Sequence, residues 1–196
     1  MHLGWRRQYS APRSLAPERR TAREHLDRPD VPAAEKDRSY RDLETVLRLP
    51  CQFRPLRAAV RRLAERHDGR QPLRLLELGA GTGLAGMRIA ETLARSGRRV
   101  HLLSTDIAPE RLPAARSDGP LVVEPLRLDA LGDALPAADV IFANLLVHHF
   151  ATEAVEALLA RMDRAAALGG AVFDLDRNAW AFHFMRLFFP LWARSP

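Results

Sequence analysis

Leu73-Arg74-Leu75-Leu76-Glu77-Leu78-Gly79-Ala80-Gly81-Thr82-Gly83 is the stretch that decides the fold. An apolar run of strand length carries an acid near its end. Three glycines follow at alternate positions, and an amphipathic stretch begins at Leu84. Glycine reaches backbone conformations that side chains disfavour, and its missing Cβ lets a ligand approach the main chain. The stretch therefore predicts a strand, a tight turn and a helix. Its turn forms a small-molecule cradle at the carboxyl end of the strand, where open α/β sheets bind ligands.

Outward from this stretch, strand and helix patterns alternate. Apolar runs predict strands at 73–78, 99–105, 121–128, 138–143 and 170–175. Helical spacing predicts helices at 84–96, 109–116, 152–167 and 178–192. This alternation is the signature of a parallel sheet with crossover helices, and strands apolar along most of their length are those covered on both faces. Before the sheet, Tyr40, Leu43, Val46 and Leu47 give a helix from Lys36 to Leu49 that Pro50 ends. Leu56, Val60 and Leu63 give another from Phe53 to His67, with Asp68-Gly69 as its stop. Residues 1–32, with Pro12, Pro17, Pro29 and Pro32 among many charges, read as a flexible basic arm. The expected organisation is that arm, helices over 33–70 on the substrate side, and a ligand-binding α/β domain over 71–196.

Composition narrows the partners. Residues 1–70 hold 17 Lys+Arg against 10 acids, a net of +7, and residues 71–196 hold 13 against 14, a net of −1. The basic excess thus belongs to the N-terminal part, where charges of both signs alternate and aromatic platforms for nucleic acid are missing. Lys36 is the only lysine. No run of 18 apolar residues marks a transmembrane helix. The first residues have no apolar core of a secretory signal. With one cysteine, Cys51, the chain fits a reducing cytoplasm. His2, His25, His67 and His101 lack ligand spacing, so no metal is expected.

The glycine turn admits two cofactors. Gly81-Thr82-Gly83-Leu84-Ala85-Gly86 matches the dinucleotide fingerprint, and Asp106 stands 20 residues beyond Gly86. In that fingerprint the first glycine follows the strand at once, whereas here Gly79 and Ala80 intervene. The other reading uses more residues. Glu77-x-Gly79-x-Gly81-x-Gly83 resembles the first motif of class I S-adenosylmethionine-dependent methyltransferases, and later strand ends follow in order. They are Ser104-Thr105-Asp106-Ile107, Leu128-Asp129-Ala130, Asp139-Val140-Ile141-Phe142-Ala143-Asn144 and Gly169-Gly170-Ala171-Val172-Phe173-Asp174. The resemblance covers residues 24–194 and looks closest to small bacterial enzymes associated with polyketide or quinone-type products.

The resemblance implies a Rossmann-like fold with a mainly parallel sheet of about five strands. It implies that Gly79, Ala80, Gly81, Thr82 and Gly83 pack on the methionine portion of the cofactor, with Glu77 near its end. Asp106 would accept from the ribose hydroxyls, and Ile107 would pack on adenine. Asp129 would accept from the adenine amine while the Ala130 amide donates to a ring nitrogen, and Asn144 and Leu145 would line the floor beside the methyl group. His148 and His149 are the candidate general bases, since imidazole titrates near neutrality. His183 reads as a packed histidine on the last helix.

The chain stops at Pro196, too soon after the fifth strand for the antiparallel hairpin usual in this family, so a shortened fold is expected. The apolar stretch from Asn178 to Trp192 reads as a core helix or as the seat of a homodimer. The expected function is methyl transfer to a small acceptor, a phenolic or polyketide-derived oxygen. The alternatives are a cofactor-binding protein without turnover, and an RNA methyltransferase using the basic arm. Asn144-Leu145-Leu146-Val147 does not match the tetrapeptide of base-methylating enzymes.

Overall fold

The computed structural model describes Pro32 and residues 54–174. The basic arm, the helix expected over 36–49, Cys51 and the C-terminal helix with His183 lie outside the described residues, and the fold below is that of the compact unit Pro50–Asp174. In chain order it contains helix α1 (Arg54–Ala64), strand β1 (Leu73–Leu78), helix α2 (Leu84–Arg95) and strand β2 (Val100–Asp106). A 3-10 turn (Pro109–Arg111) and strands β3 (Arg116–Asp118), β4 (Leu121–Arg127) and β5 (Ala138–Asn144) follow. A second 3-10 turn (Val147–His149), helix α3 (Thr152–Ala165) and strand β6 (Ala166–Phe173) complete it.

The six strands form one sheet in the order β3-β4-β2-β1-β5-β6. The five expected strands are all present and parallel to one another. β3 is the addition: it pairs antiparallel with β4 at the sheet edge. The helix expected over 109–116 is therefore a single 3-10 turn and the start of a hairpin. Pro113 denies that segment a helical hydrogen bond, and Gly119, at φ +55°, makes the turn before Pro120 and β4. β6 begins at Ala166, earlier than the apolar run implies, because pairing with β5 extends Ala166–Gly170 despite its small residues.

The sheet buries side chains on both faces. On one lie Leu73, Leu75, Val100, Leu102, Val140 and Phe142, packed with Leu56, Val60 and Ala64 of α1 and Ile89, Ala90 and Leu93 of α2. On the other lie Leu76, Leu78, Ile141 and Ala143, packed with Leu158 and Met162 of α3. The alternation of strand side chains across the sheet sorts them this way. The connection from β4 to β5 carries no helix, and Leu128 and Ala130 within it join the second core. Among the described residues, no helix is long and apolar enough to cross a membrane.

Candidate active site

β4, β2, β1, β5 and β6 lie side by side, so their carboxyl ends share one edge of the sheet. Every candidate residue sits there. The glycine turn follows β1, Asp106 ends β2, Asp129 and Ala130 follow β4, and Asn144 ends β5 with Leu145 and the two histidines just beyond.

The turn after β1 needs its glycines for different reasons. Gly79, Gly81 and Gly83 have φ of +62°, +55° and +70°. A Cβ on Gly79 would lie 2.5 Å from Leu146 Cδ1, and one on Gly83 would lie 2.6 Å from Pro113 Cδ. A Cβ on Gly81 would meet nothing within 4 Å, so the turn's open side is at its middle glycine. Asp106 holds this turn: its Oδ2 accepts from the Gly81 amide at 2.8 Å and its Oδ1 from the Ala108 amide at 2.9 Å. Ionised carboxylate oxygens have further lone pairs, so these bonds leave acceptor capacity. Ile107 beside it is 58% exposed, a large apolar side chain presented outward.

Glu77 is turned inward. It is buried, and its Oε1 accepts from the Gly86 amide at 2.8 Å while its Oε2 accepts from the Ser104 hydroxyl at 3.0 Å. Gly83, the residue before α2, makes no side-chain cap, so Glu77 satisfies one of the amides that the first helical turn leaves over. A Cβ on Gly86 would run into this carboxylate, which explains the glycine that completes the dinucleotide pattern. Burial pushes the Glu77 carboxyl up from 4.5 to about 7. The Ser104 and Gly86 hydrogen bonds pull against that rise, and the charge of Asp106 adds to it.

The turn after β4 is closed on itself. Asp129 Oδ1 accepts from the Leu131 amide, Asp133 Oδ2 accepts from the Asp129 amide, and the Asp133 amide donates to the Asp129 carbonyl. Arg161 of α3 donates to the carbonyls of Ala130, Leu131 and Asp133. Arg161 carries no sequence signal of its own, because its role depends on a connection distant in the chain.

The turn after β5 is held from β6. Asp174, directly after β6, accepts the Val147 and His148 amides on Oδ2, at 2.6 and 3.2 Å. Its Oδ1 lies 2.6 Å from His148 Nδ1. The imidazole of His149 lies against that of His148, with centroids 4.2 Å apart and planes tilted by 33°. Asn144 Oδ1 is buried without a hydrogen-bond partner, and Leu145 adopts φ +52°, a strained conformation for its side chain. Both features border the two turns. Asp174 is visible in the sequence as a strand-end acid, but its pairing with His148 requires knowing that β6 lies beside β5.

This edge offers what an S-adenosyl group requires: an open glycine backbone, an acid at the next strand end, an outward apolar side chain and an unpartnered buried amide oxygen. A family model described as a methyltransferase domain matches residues 76–172. Over 66 residues the chain is 38% identical to the 3-methylorcinaldehyde synthase tropA of Talaromyces stipitatus, a span of 34% of this chain and 2% of that protein. A putative methyltransferase from an antibiotic biosynthesis pathway of Anabaena variabilis is 22% identical, with a TM-score of 0.45 over 71% of this chain and 54% of that one. LepI, solved in complex with SAM, is 15% identical, with a TM-score of 0.47 over 69% of this chain and 36% of that one. The chain thus spans a minor part of the curated relative and about a third to a half of these solved structures. Over the matched span, from Leu76 in β1 to Val172 in β6, this chain is similar to a methyltransferase domain.

Proposed function

We propose that this chain methylates an oxygen of a small phenolic or polyketide-derived acceptor, with His148 as the general base. The 2.6 Å contact between His148 Nδ1 and Asp174 Oδ1 carries this reading. A carboxylate on one imidazole nitrogen fixes the tautomer, so that Nδ1 donates to Asp174 and Nε2 is the basic atom. Asp174 also holds the Val147 and His148 amides, so base and turn are positioned together. An acceptor hydroxyl within reach of Nε2 loses its proton there as the oxygen becomes the nucleophile. His149 lies against the same ring, tilted by 33°.

When bound, S-adenosylmethionine supplies an electrophilic methyl on a cationic sulfur that departs as a neutral thioether. The backbone of Gly79–Gly83, opened at Gly81, receives the methionine portion. Asp106 accepts from the ribose hydroxyls with the lone pairs its two amide bonds leave, and Ile107 covers adenine. Asp129 and Ala130 read the adenine edge, and Asn144 with Leu145 forms the floor. Glu77 acts from beneath, fixing the start of α2 behind the glycine turn, rather than touching the cofactor.

The 38% identity to a 3-methylorcinaldehyde synthase over 66 residues supports an aromatic, hydroxylated acceptor class. The test is transfer of labelled methyl from S-adenosylmethionine to a panel of phenols and an extract of the producing cell, with products identified by mass. Wild type is expected to form labelled product and S-adenosylhomocysteine. His148→Gln is expected to lose about 10²- to 10⁴-fold in kcat, the usual contribution of a general base. Full turnover by His148→Gln on a phenol would overturn the assignment of the base. Cofactor binding without transfer to any acceptor would overturn the proposed activity.

A further inference from the structure

Arg161 does something the motif residues cannot. The ten residues from Leu128 to Ala137 carry the chain from β4 to β5 past β2 and β1 with no helix among them. Helices satisfy their own carbonyls; a bare connection must find donors elsewhere. Arg161 supplies them. Its Nη1 donates to the Ala130 carbonyl at 2.7 Å and to the Leu131 carbonyl at 2.6 Å, and its Nη2 donates to the Asp133 carbonyl. A planar guanidinium suits this, because its donors diverge in a fixed fork. The other bonds in the turn are its own: Asp129 Oδ1 takes the Leu131 amide, the Asp129 carbonyl takes the Asp133 amide, and Asp133 Oδ2 takes the Asp129 amide. The Ala130 amide and Asp129 Oδ2 stand outside this internal bonding. The second lies above Gly132, where a Cβ would come within 2.8 Å of it.

We infer that Arg161 is the positioning residue for nucleobase selection: by locking the Ala130, Leu131 and Asp133 carbonyls it fixes the turn that presents the Ala130 amide as a donor and Asp129 Oδ2 as an acceptor to an adenine edge. The inference rests on the cofactor reading above. Adenine presents an acceptor ring nitrogen and a donor amine to such a pair. Hypoxanthine presents an N–H and a carbonyl, and so opposes both. A turn held by Arg161 discriminates between them, and a loosened turn re-aims the two groups and does not.

The experiment measures binding of S-adenosylhomocysteine and S-inosylhomocysteine by calorimetry to the full chain as wild type, Arg161→Ala and Arg161→Lys. Wild type is expected to bind the adenosyl compound at least about 30-fold more tightly, as expected when buried polar groups meet mismatched partners. Arg161→Ala is expected to lose about tenfold in adenosyl affinity, to keep its inosyl affinity within twofold, and so to lose most of its discrimination. Arg161→Lys, whose single ammonium cannot fork across three carbonyls, is expected to fall between, and it decides the matter if Arg161→Ala does not fold. An unchanged affinity ratio in the folded variants, with only the melting temperature lowered, overturns the positioning role and leaves a structural clamp. Wild type that binds neither compound overturns the cofactor reading itself, a result distinct from loss of discrimination.

Discussion

The turns after β1 and after β5 leave adjacent strands of one sheet, yet acids are used in opposite ways in them. At the first, Glu77 and Asp106 spend their carboxylates on main-chain amides, Gly86 for one and Gly81 with Ala108 for the other. At the second, Asp174 divides itself between two amides and the titratable ring of His148. The first arrangement ties both acids to the main chain around the glycine turn. The second sets a carboxylate against an imidazole. The unpartnered oxygen of Asn144 is buried at the end of β5, just before the second of these turns.

The largest way to break this contrast is Asp174→Asn. The amides of Val147 and His148 both donate to the same Asp174 oxygen, so an asparagine must place its own oxygen there. Its NH₂ then faces His148 Nδ1, which must become an acceptor, and the ring proton moves to Nε2. The base is lost while the turn is kept. The expected result is a fall in kcat of about 10³-fold or more, the scale seen when a histidine is held in the wrong tautomer. Binding of S-adenosylhomocysteine should stay within twofold by calorimetry. If both parameters fell together, the two turns would be one unit.

A smaller effect tests the inward acid. Glu77 has a folded pKa of about 7 against 4.5 for the free group. Between those values the native state retains a proton that the unfolded chain has released, so stability falls as pH rises through that window and levels off above it. The shift corresponds to about 3 kcal/mol at most. Glu77→Gln keeps an oxygen for the Gly86 amide and removes the titration, and the Ser104 hydroxyl can turn to accept from the new NH₂. Urea melts are expected to show the variant less stable than or equal to wild type at pH 4.5 and more stable at pH 8. An equal difference at both values would mean that burial does not set this carboxyl.

Which parts were legible follows from the same contrast. β1, β2, β4, β5, α2 and α3 announce themselves because each has an apolar period bounded by glycine, proline or an acid. The hairpin of β3 hides between prolines, and only the Asp118-Gly119-Pro120 turn marks it. Ala166–Gly169 has no strand character of its own and is extended by its neighbour β5. In the site, Glu77, Asp106, Asp129 and Asn144 stand at strand ends, where local pattern suffices to find them. Asp174 and Arg161 act across sheet and helix, on residues 26 to 31 positions away, and only the topology assigns their partners. Even Glu77 shows its inward orientation only in the fold, where the Gly86 amide and the Ser104 hydroxyl lie behind the strand end.

Asp106→Ala gives the smallest effect and ties the two acids of the first turn together. Removing the carboxylate releases the Gly81 and Ala108 amides and takes away the acceptor proposed for the ribose. Hydrogen bonds to a charged group contribute about 1.5–3 kcal/mol, but water can enter at this part-buried position and replace some of them. Affinity for S-adenosylhomocysteine is therefore expected to fall about 10- to 30-fold in calorimetry. The same variant removes a negative charge that helps to raise the Glu77 carboxyl. The upper end of the window in which stability falls with pH should then move below its wild-type position, while the lower end, set by the unfolded chain, stays. Weakened binding with an unmoved window would show that Asp106 acts on the ligand alone. A moved window with unchanged affinity would make it a second inward acid, and the glycine turn would then rest on the backbone of its own residues.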